Sequence, residues 1–319
     1  MKIIENLGLI KATFVPVSSW LIRFLGGVVL RHPILFRRTI AEWKEKTTME
    51  DSKCPEIPKD LLEKAKAGEL KVNNSTEKYL RPVKGCESTA PEIVALAHEL
   101  GAYKLSDWDY ANKVFKWVKD EDTCKWNIGG GSALETLREG RGICPQKANL
   151  FIALCRAGGL KVRYRITPSI QLDPRMKSFA EGMASTFGLG PIFSALYTSI
   201  NSFPMHWLSE VQIDDKWIAA DTTFSAEMEV AMNLPISKFG DDPIESWITG
   251  SKKFYYMEGP SRILRPIFKY MLSMPGFVKS FNQSSDFFKE RGREMMNRKE
   301  KEGAYEELSE DLEEMIKGL

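Results

Sequence analysis

Residues 140–166, "GRGICPQKANLFIALCRAGGLKVRYRI", decide the fold of this chain. The glycines at the start predict a turn, and Pro145 is well suited to the first position of a helix. The Gly158–Gly159 pair predicts the end of that helix. Basic and apolar residues then alternate as in a half-buried strand, whose apolar positions are Val162, Tyr164 and Ile166. The stretch therefore predicts a turn, a helix with Cys144 at its N-terminal end, and a strand.

Cys144 stands where a helix favours a nucleophilic cysteine. The backbone N–H groups of the first helical turn have no partner within the helix. Together with the positive end of the helix dipole, they stabilise a thiolate or an oxyanion. The alternative is a small apolar residue that fills a turn. Cys155, which lies among apolar residues further along the same helix, fits that structural role.

A second stretch, "HWLSEVQIDDKWIAADTTF" at residues 206–224, predicts a β-hairpin that begins with one of only three histidines. With a two-residue turn at Asp214–Asp215, His206 faces Thr223, and Asp221 lies diagonally beside His206 on the same side of the hairpin. A carboxylate in that position can orient an imidazole toward a thiol. The alternative is an ordinary hairpin with an exposed histidine.

Taken together, the two stretches resemble the transglutaminase-like branch of the papain-like cysteine enzyme superfamily. The first match is the glycine turn, the cysteine-bearing helix and the strand after it. The second is a His-Trp pair that leads an acidic strand, with "KWIAADTTF" returning the aspartate, so that the order is Cys, His, Asp. The segments "PISKFGDDPIESWI" and "FYYMEG" are similar to stand-alone bacterial and archaeal members. The resemblance covers residues 85–260.

The resemblance implies roles for single residues. Cys144 would be the nucleophile, His206 the general base and acid, and Asp221 the carboxylate that orients the imidazole. The Cys144 backbone N–H would bind the oxyanion, with Gln146 or the Trp126 indole as candidates for a second donor. The implied activity is that of a cysteine-dependent amide hydrolase or acyltransferase. Its substrate would be a protein, a peptide or a small carboxamide, and the intermediate would be a thioester.

The fold implied by the resemblance is α+β. A papain- or transglutaminase-like core packs the helix carrying the cysteine on an antiparallel sheet, with helical N- and C-terminal extensions. We expect a helical arm and connector at 1–84, the catalytic core at 85–260 and the C-terminal helical extension at 261–319. Residues 167–205 are long for a link between two strands, and they predict an insertion. It would be either a helical lid over Cys144 or a docking surface.

Composition disfavours several other classes of protein. The 319 residues include 45 Lys and Arg against 43 Asp and Glu, and the formal net charge of +2 gives no reason to expect a nucleic acid partner. The five cysteines are sparse and form no CxxC pair, which disfavours a disulfide scaffold and a zinc site and favours a reducing cytoplasm. No cofactor motif is visible, so we expect neither a metal nor an organic cofactor.

The N-terminal arm leaves a membrane contact open. Its apolar run, residues 17–30, contains Arg23 and is shorter than the ~20 residues that a membrane-spanning helix needs. Residues 17–40 could form a packed helix pair, or a peripheral membrane surface with its arginines toward the lipid. The alternatives to an enzyme are therefore a noncatalytic transglutaminase-like binding module and a peripheral membrane adaptor. The sequence makes no prediction of the oligomeric state.

Overall fold

A computed structural model of the chain describes residues 22, 30, 33–44, 55–172, 203–249, 254–260 and 273–302. The helices in these ranges are α1 (Pro33–Lys44), α2 (Lys59–Ala67), α3 (Pro91–Glu99), α4 (Asp107–Lys119), α5 (Ala133–Glu139), α6 (Cys144–Ala157), α7 (Ala226–Ala231) and α8 (Pro275–Glu302). The strands are β1 (Val162–Leu172), β2 (Phe203–Ile213), β3 (Lys216–Ala220), β4 (Ile248–Thr249) and β5 (Tyr255–Met257).

The strands form one antiparallel sheet in the order β3-β2-β1-β4, and β5 also pairs with β1. β1 and β2 are the central pair, with eleven residues each. Their ladder runs from Val162 opposite Val211 to Ile170 opposite Phe203. This long pairing makes β2, which carries His206, an interior strand with a neighbour on each side.

The hairpin between β2 and β3 has the predicted register. Ser209 lies opposite Ala220, and the turn falls on Asp214 and Asp215. Both turn residues have positive φ, at 48° and 61°, as the central residues of a type I′ turn require. Aspartate tolerates that conformation better than most residues, so the Asp-Asp pair fixes the register locally.

Helix α6 is the central element of the core. Every residue from Pro145 to Ala157 is buried, and α3, α4, α5 and the β1–β2 pair all pack on it. Four of the buried side chains are nevertheless polar, and three of them, Lys147, Asn149 and Arg156, find partners outside the helix, as buried polar groups must. The Lys147 ammonium lies 3.5 Å from the Lys119 carbonyl oxygen, the Asn149 amide donates to a backbone carbonyl, and Arg156 donates to three.

The predicted α+β class, with the cysteine-bearing helix on an antiparallel sheet, is confirmed. Helix α6 begins at Cys144 and ends before Gly158, as the flanking glycines and Pro145 predict. The N- and C-terminal extensions contain the helices α1 and α8, and α8 packs against both α7 and α1. The domain boundaries after residues 84 and 260 stay predictions.

The predicted insertion at 167–205 begins and ends differently from the expectation. β1 continues through Leu172 and β2 starts at Phe203, so both ends of that range are strand. The ladder extends because Thr167 and Ile170 keep the antiparallel pairing with β2. The intervening residues 173–202, to which the lid hypothesis applies, lie outside the described residues, as do residues 1–21, 23–29, 31–32, 45–54 and 303–319.

Candidate active site

The turn in front of Cys144 is fixed by hydrogen bonds. The Gly142 N–H donates to the Lys125 carbonyl oxygen at 2.9 Å, and the Gln146 side chain accepts the Ile143 N–H through Oε1 at 3.1 Å. A Cβ on Gly142 would lie 2.7 Å from the Gln146 Cβ, so a larger residue does not fit without a shift. Cys144 itself is partly exposed, whereas the rest of its helix is buried.

The β2–β3 hairpin supplies the imidazole and the carboxylate. The His206 Nε2 and the Asp221 Oδ2 lie 2.9 Å apart. Asp221 follows directly after the last paired residue of β3, which leaves its side chain free to reach back to β2. The second carboxylate oxygen, Oδ1, accepts the Thr223 N–H at 3.1 Å. Both oxygens are therefore held, and the orientation of the carboxylate is fixed.

Cys144 contacts the same imidazole. Its side chain is hydrogen bonded to His206. Since Nε2 is occupied by Asp221, Nδ1 is the ring nitrogen that is left for the sulfur. The structure thus brings together the three residues that the sequence singled out, from α6, from β2 and from the segment after β3. Their catalytic roles stay predictions.

Burial and charge act in opposite directions on the His206–Asp221 pair. Burial lowers the pKa of His206, but the attraction of the Asp221 carboxylate and the hydrogen bonds to Asp221 and Cys144 outweigh it and raise the pKa to about 10. Burial raises the pKa of Asp221, but the His206 charge and the bonds to His206 and Thr223 leave it below its ordinary value. The pair is therefore an imidazolium and a carboxylate at neutral pH.

An aromatic cluster that sequence reasoning missed covers the pair. The Trp247 ring meets the His206 ring edge-on, with centroids 4.7 Å apart, and Phe224 lies 5.3 Å from Trp247. The Trp126 ring lies a further 5.3 Å beyond Phe224. Apolar rings around a buried ion pair exclude water and strengthen the attraction. Trp247 is visible in the sequence within "PIESWI", but no periodic pattern predicts that this segment contacts the histidine.

The two oxyanion candidates have different surroundings. Gln146 uses its carbonyl oxygen to cap its own helix at Ile143, which fixes the direction of its amide. Trp126 is almost fully buried at the aromatic cluster, and its backbone N–H donates to the Glu121 carboxylate at 3.1 Å. Trp126 is also linked to the turn before Cys144, because the preceding residue, Lys125, forms an isolated backbone β-bridge with Arg141. A donor role for either residue stays a prediction.

The three other cysteines in the described ranges differ from Cys144 in exposure. Cys86, Cys124 and Cys155 are free thiols in the interior, and burial raises the pKa of each. Within the described ranges, no group of three His, Cys, Asp or Glu side chains could hold a metal ion. None of the helices that the structure describes is long and apolar enough to span a membrane.

Comparison with known proteins finds one family and one solved structure to which part of the chain is similar. The family model of the transglutaminase-like superfamily matches residues 94–222, a range that contains Cys144, His206 and Asp221. Among solved structures, a proposed cysteine protease from Cytophaga hutchinsonii is similar, with 22% identity and a TM-score of 0.32. The match covers 56% of this chain and 53% of that one. No curated protein matches. Residues 94–222 are thus similar to the transglutaminase-like superfamily.

Proposed function

We propose that this protein is a cysteine-dependent amide hydrolase or acyltransferase that works through a thioester on Cys144. The observation that carries the proposal is the position of the His206 imidazole, which is bonded to Cys144 and, through Nε2, to Asp221 at 2.9 Å. An imidazole held on one side by a carboxylate and bonded to a thiol on the other is the arrangement of an activated sulfur nucleophile.

The proposed reaction has two halves. The reactive form is a Cys144 thiolate beside the protonated His206, and the thiolate attacks the substrate carbonyl carbon to form a C–S bond. The tetrahedral intermediate then collapses as the C–N bond breaks, and the leaving amine takes the proton from His206. Water or a second amine gives a proton to His206 and attacks the thioester, the C–S bond breaks, and the thiolate is restored. Asp221 stabilises the imidazolium throughout.

The substrate we propose is a carboxamide in a protein, a peptide or a small molecule. Partial exposure of Cys144 at the end of a buried helix gives such a group access to the sulfur. Asp221 and Trp247 also line an open depression of about 190 Å³ beside the pair, which offers room for groups near the reacting bond. We further propose that the reaction takes place in the cytoplasm without a metal or an organic cofactor.

An activated ester tests the proposal without knowledge of the natural substrate. p-Nitrophenyl acetate should release a burst of p-nitrophenolate as the acetyl group is transferred to Cys144, and mass spectrometry should locate the acetyl group there. Hydroxylamine should remove it, because thioesters react readily with that amine. Cys144→Ala should abolish the burst, and the matched control Cys155→Ala should keep it. Acetylation of another residue, or no burst from the intact chain, would refute the proposal.

A second candidate function is a peripheral membrane contact through residues 17–40. Three apolar side chains of that arm are largely exposed, at 70% for Ile22, 77% for Leu30 and 84% for Ile34, and Arg37 and Arg38 are exposed beside them. Anionic lipid would satisfy both the apolar and the basic groups. Co-sedimentation with phosphatidylserine vesicles should be lost when residues 1–44 are removed, and equal pelleting of both forms would exclude the contact.

A further inference from the structure

Helix α8 lies outside the residues that match the family, yet it packs against the loop beside the candidate active site. Beside the apolar Val278, Phe288 and Met295, its buried side carries a polar face. Asn282, Ser285 and Lys289 are three and four residues apart, lie on one side of the helix and are each more than nine-tenths buried. A helix that only covered a core would bury apolar side chains at these positions. The polar face therefore indicates specific partners.

Those partners are three consecutive residues, Trp126–Ile128, called here the 126–128 segment. Asn282 accepts the Ile128 N–H at 2.7 Å and donates to the Ile128 carbonyl oxygen at 3.3 Å. The Ser285 hydroxyl donates to the Trp126 carbonyl oxygen at 2.5 Å. The Lys289 ammonium donates to the Asn127 side-chain oxygen at 3.1 Å. Each residue of the segment is thus bonded to a different side chain of α8.

These hydrogen bonds satisfy polar groups of the 126–128 segment, as a neighbouring strand satisfies the backbone groups of a strand. The segment belongs to no helix or strand, and all three of its residues are buried. A buried backbone group that loses its partner costs about 1–3 kcal/mol, so the conformation of the segment depends on α8. Glu121 completes the set, because it accepts the Trp126 N–H at 3.1 Å and pairs with Lys289 at 3.1 Å.

The segment in turn is connected to the candidate active site by two routes. Lys125, directly before it, accepts the Gly142 N–H at 2.9 Å, two residues ahead of Cys144. The Trp126 ring continues through Phe224 and Trp247 to His206, with successive centroid distances of 5.3, 5.3 and 4.7 Å. A shift of the 126–128 segment would therefore affect both the turn before Cys144 and the aromatic rings that contact His206.

The position of α8 on the core is itself narrowly set. A Cβ on Gly292 would lie 2.0 Å from the Glu227 carbonyl oxygen, so α8 and α7 meet at a distance that only glycine allows. Arg293 on the next position pairs with the Glu227 side chain at 3.6 Å. This close approach fixes the rotation of α8 about its axis and its position along that axis, and so it determines where Asn282 and Ser285 contact the 126–128 segment.

We propose that α8 is a part of the active site, in which Asn282 and Ser285 are positioning residues that hold Trp126 against the carbonyl group under attack. The inference rests on the proposed function, since it concerns the acylation of Cys144. It adds a requirement that the transglutaminase-like core alone does not contain: the C-terminal helix keeps the wall beside the nucleophile in its working conformation.

Two reactions of the same sulfur separate this role from general support of the fold. Acylation by p-nitrophenyl acetate passes through a tetrahedral oxyanion, so it depends on groups that face the carbonyl. Alkylation by iodoacetamide is a direct displacement with no oxyanion, and it depends on the thiolate alone. In the full chain, Asn282→Ala should lower the acylation rate about tenfold, since small displacements at an active site are costly. The alkylation rate and its pH profile should stay unchanged.

Matched variants complete the experiment. Gln283→Ala removes an amide from the adjacent, exposed position of α8 and should leave both rates unchanged. Asn282→Asp keeps an acceptor for the Ile128 N–H and should restore part of the acylation rate. If Asn282→Ala does not fold, as judged by its thermal unfolding, Ser285→Ala gives the same information with the loss of a single hydrogen bond.

The outcomes distinguish the inference from the proposed function. Parallel loss of acylation and alkylation in the folded variants would mean that α8 supports the whole pair, and the positioning role would be wrong. Equal rates in Asn282→Ala, Ser285→Ala and the intact chain would also overturn it. An intact chain that is not acylated at Cys144 at all would remove the proposed function and the inference together.

Discussion

The two ends of helix α6 carry the same side chain in opposite circumstances. Cys144 at the N-terminal end is partly exposed and hydrogen bonded to His206. Cys155, eleven residues further on, is fully buried, and the loss of water around it raises the pKa of its thiol well above the ordinary value. One helix therefore holds one thiol beside an imidazole and another thiol that is enclosed in the core.

The neighbours of each end explain the difference. The C-terminal end is anchored by the buried Arg156 guanidinium, which donates to the backbone carbonyls of Arg81, Val162 and Glu258 at 2.7–3.1 Å. The N-terminal end meets the hairpin that carries the imidazole. The surroundings of each thiol are thus decided by what other elements place around it, and those surroundings control the reactivity of a cysteine.

The largest test of this contrast removes the negative charge behind the imidazole. Asp221→Asn should lower the rate of Cys144 acylation by p-nitrophenyl acetate about 10²-fold or more, because the imidazole loses the partner that orients it and stabilises its charge. Stopped-flow measurement of p-nitrophenolate release gives the rate. Cys144 would then resemble Cys155, a thiol without an organised base.

The matched control for that variant is on the same hairpin. Asp215→Asn makes the identical change at the exposed turn, where asparagine also tolerates the positive φ of 61°. Its acylation rate should equal that of the intact chain. A similar loss in both variants would mean that the hairpin as a whole, and not the bond to His206, determines the rate.

A second test changes the pH, which should alter the stabilisation that the His206–Asp221 pair provides beside the N-terminal end of α6. The pKa of His206 is raised to about 10. The His206–Asp221 pair therefore stabilises the folded state fully below the ordinary histidine pKa of 6.5, and this stabilisation is lost as the pH rises toward 10. The intact chain should lose about 2 kcal/mol of unfolding free energy between about pH 6.5 and about pH 8, beyond the loss seen in His206→Gln.

Urea unfolding at several pH values measures that difference between the two chains. Taking the difference cancels the other titrating groups, which both chains share. Equal pH dependence of the intact chain and His206→Gln would show that the imidazole carries no stabilising charge in the folded state, and the assigned ion pair would be wrong.

The smallest effect is expected at the other end of the helix. Cys155→Ala removes one buried sulfur atom and should lower the unfolding free energy by about 1 kcal/mol through lost packing. The acylation rate should stay within about twofold of the intact chain, since Cys155 makes no contact with the imidazole. Denaturant unfolding and the ester assay on the same preparation provide both values. A fall in the acylation rate of clearly more than about twofold in the folded variant would show that the two ends of the helix are coupled.

Much of the site could be predicted from the sequence because its signals are local. Pro145 and the paired glycines determine where α6 begins and ends, so these residues alone place Cys144 at a helix N-terminus. The Asp214–Asp215 turn determines the hairpin register, and the register determines that Asp221 can reach His206. Each of these conclusions depends on residues within one or two turns or strands of one another.

The groups around the triad could not be predicted in the same way. Trp247 contacts His206 across 41 positions of sequence, and Asn282 binds Ile128 across 154. Neither contact produces a periodic sequence pattern, because each is made by a single side chain from a distant segment. The insertion at 167–205 illustrates the same point, since its ends proved to be strand once their pairing partners in the sheet were known.

The sequence by itself therefore determined the helix that presents Cys144 and the hairpin that joins His206 to Asp221, since short-range propensities and turn chemistry depend on adjacent residues. The class of the fold was implied by the family resemblance of the same two stretches. Only the tertiary structure decided that the sulfur meets the imidazole, that Trp247 covers the pair and that α8 holds the 126–128 segment. Those contacts depend on how separate elements pack, and packing is set by the shapes and buried polar groups of the whole chain.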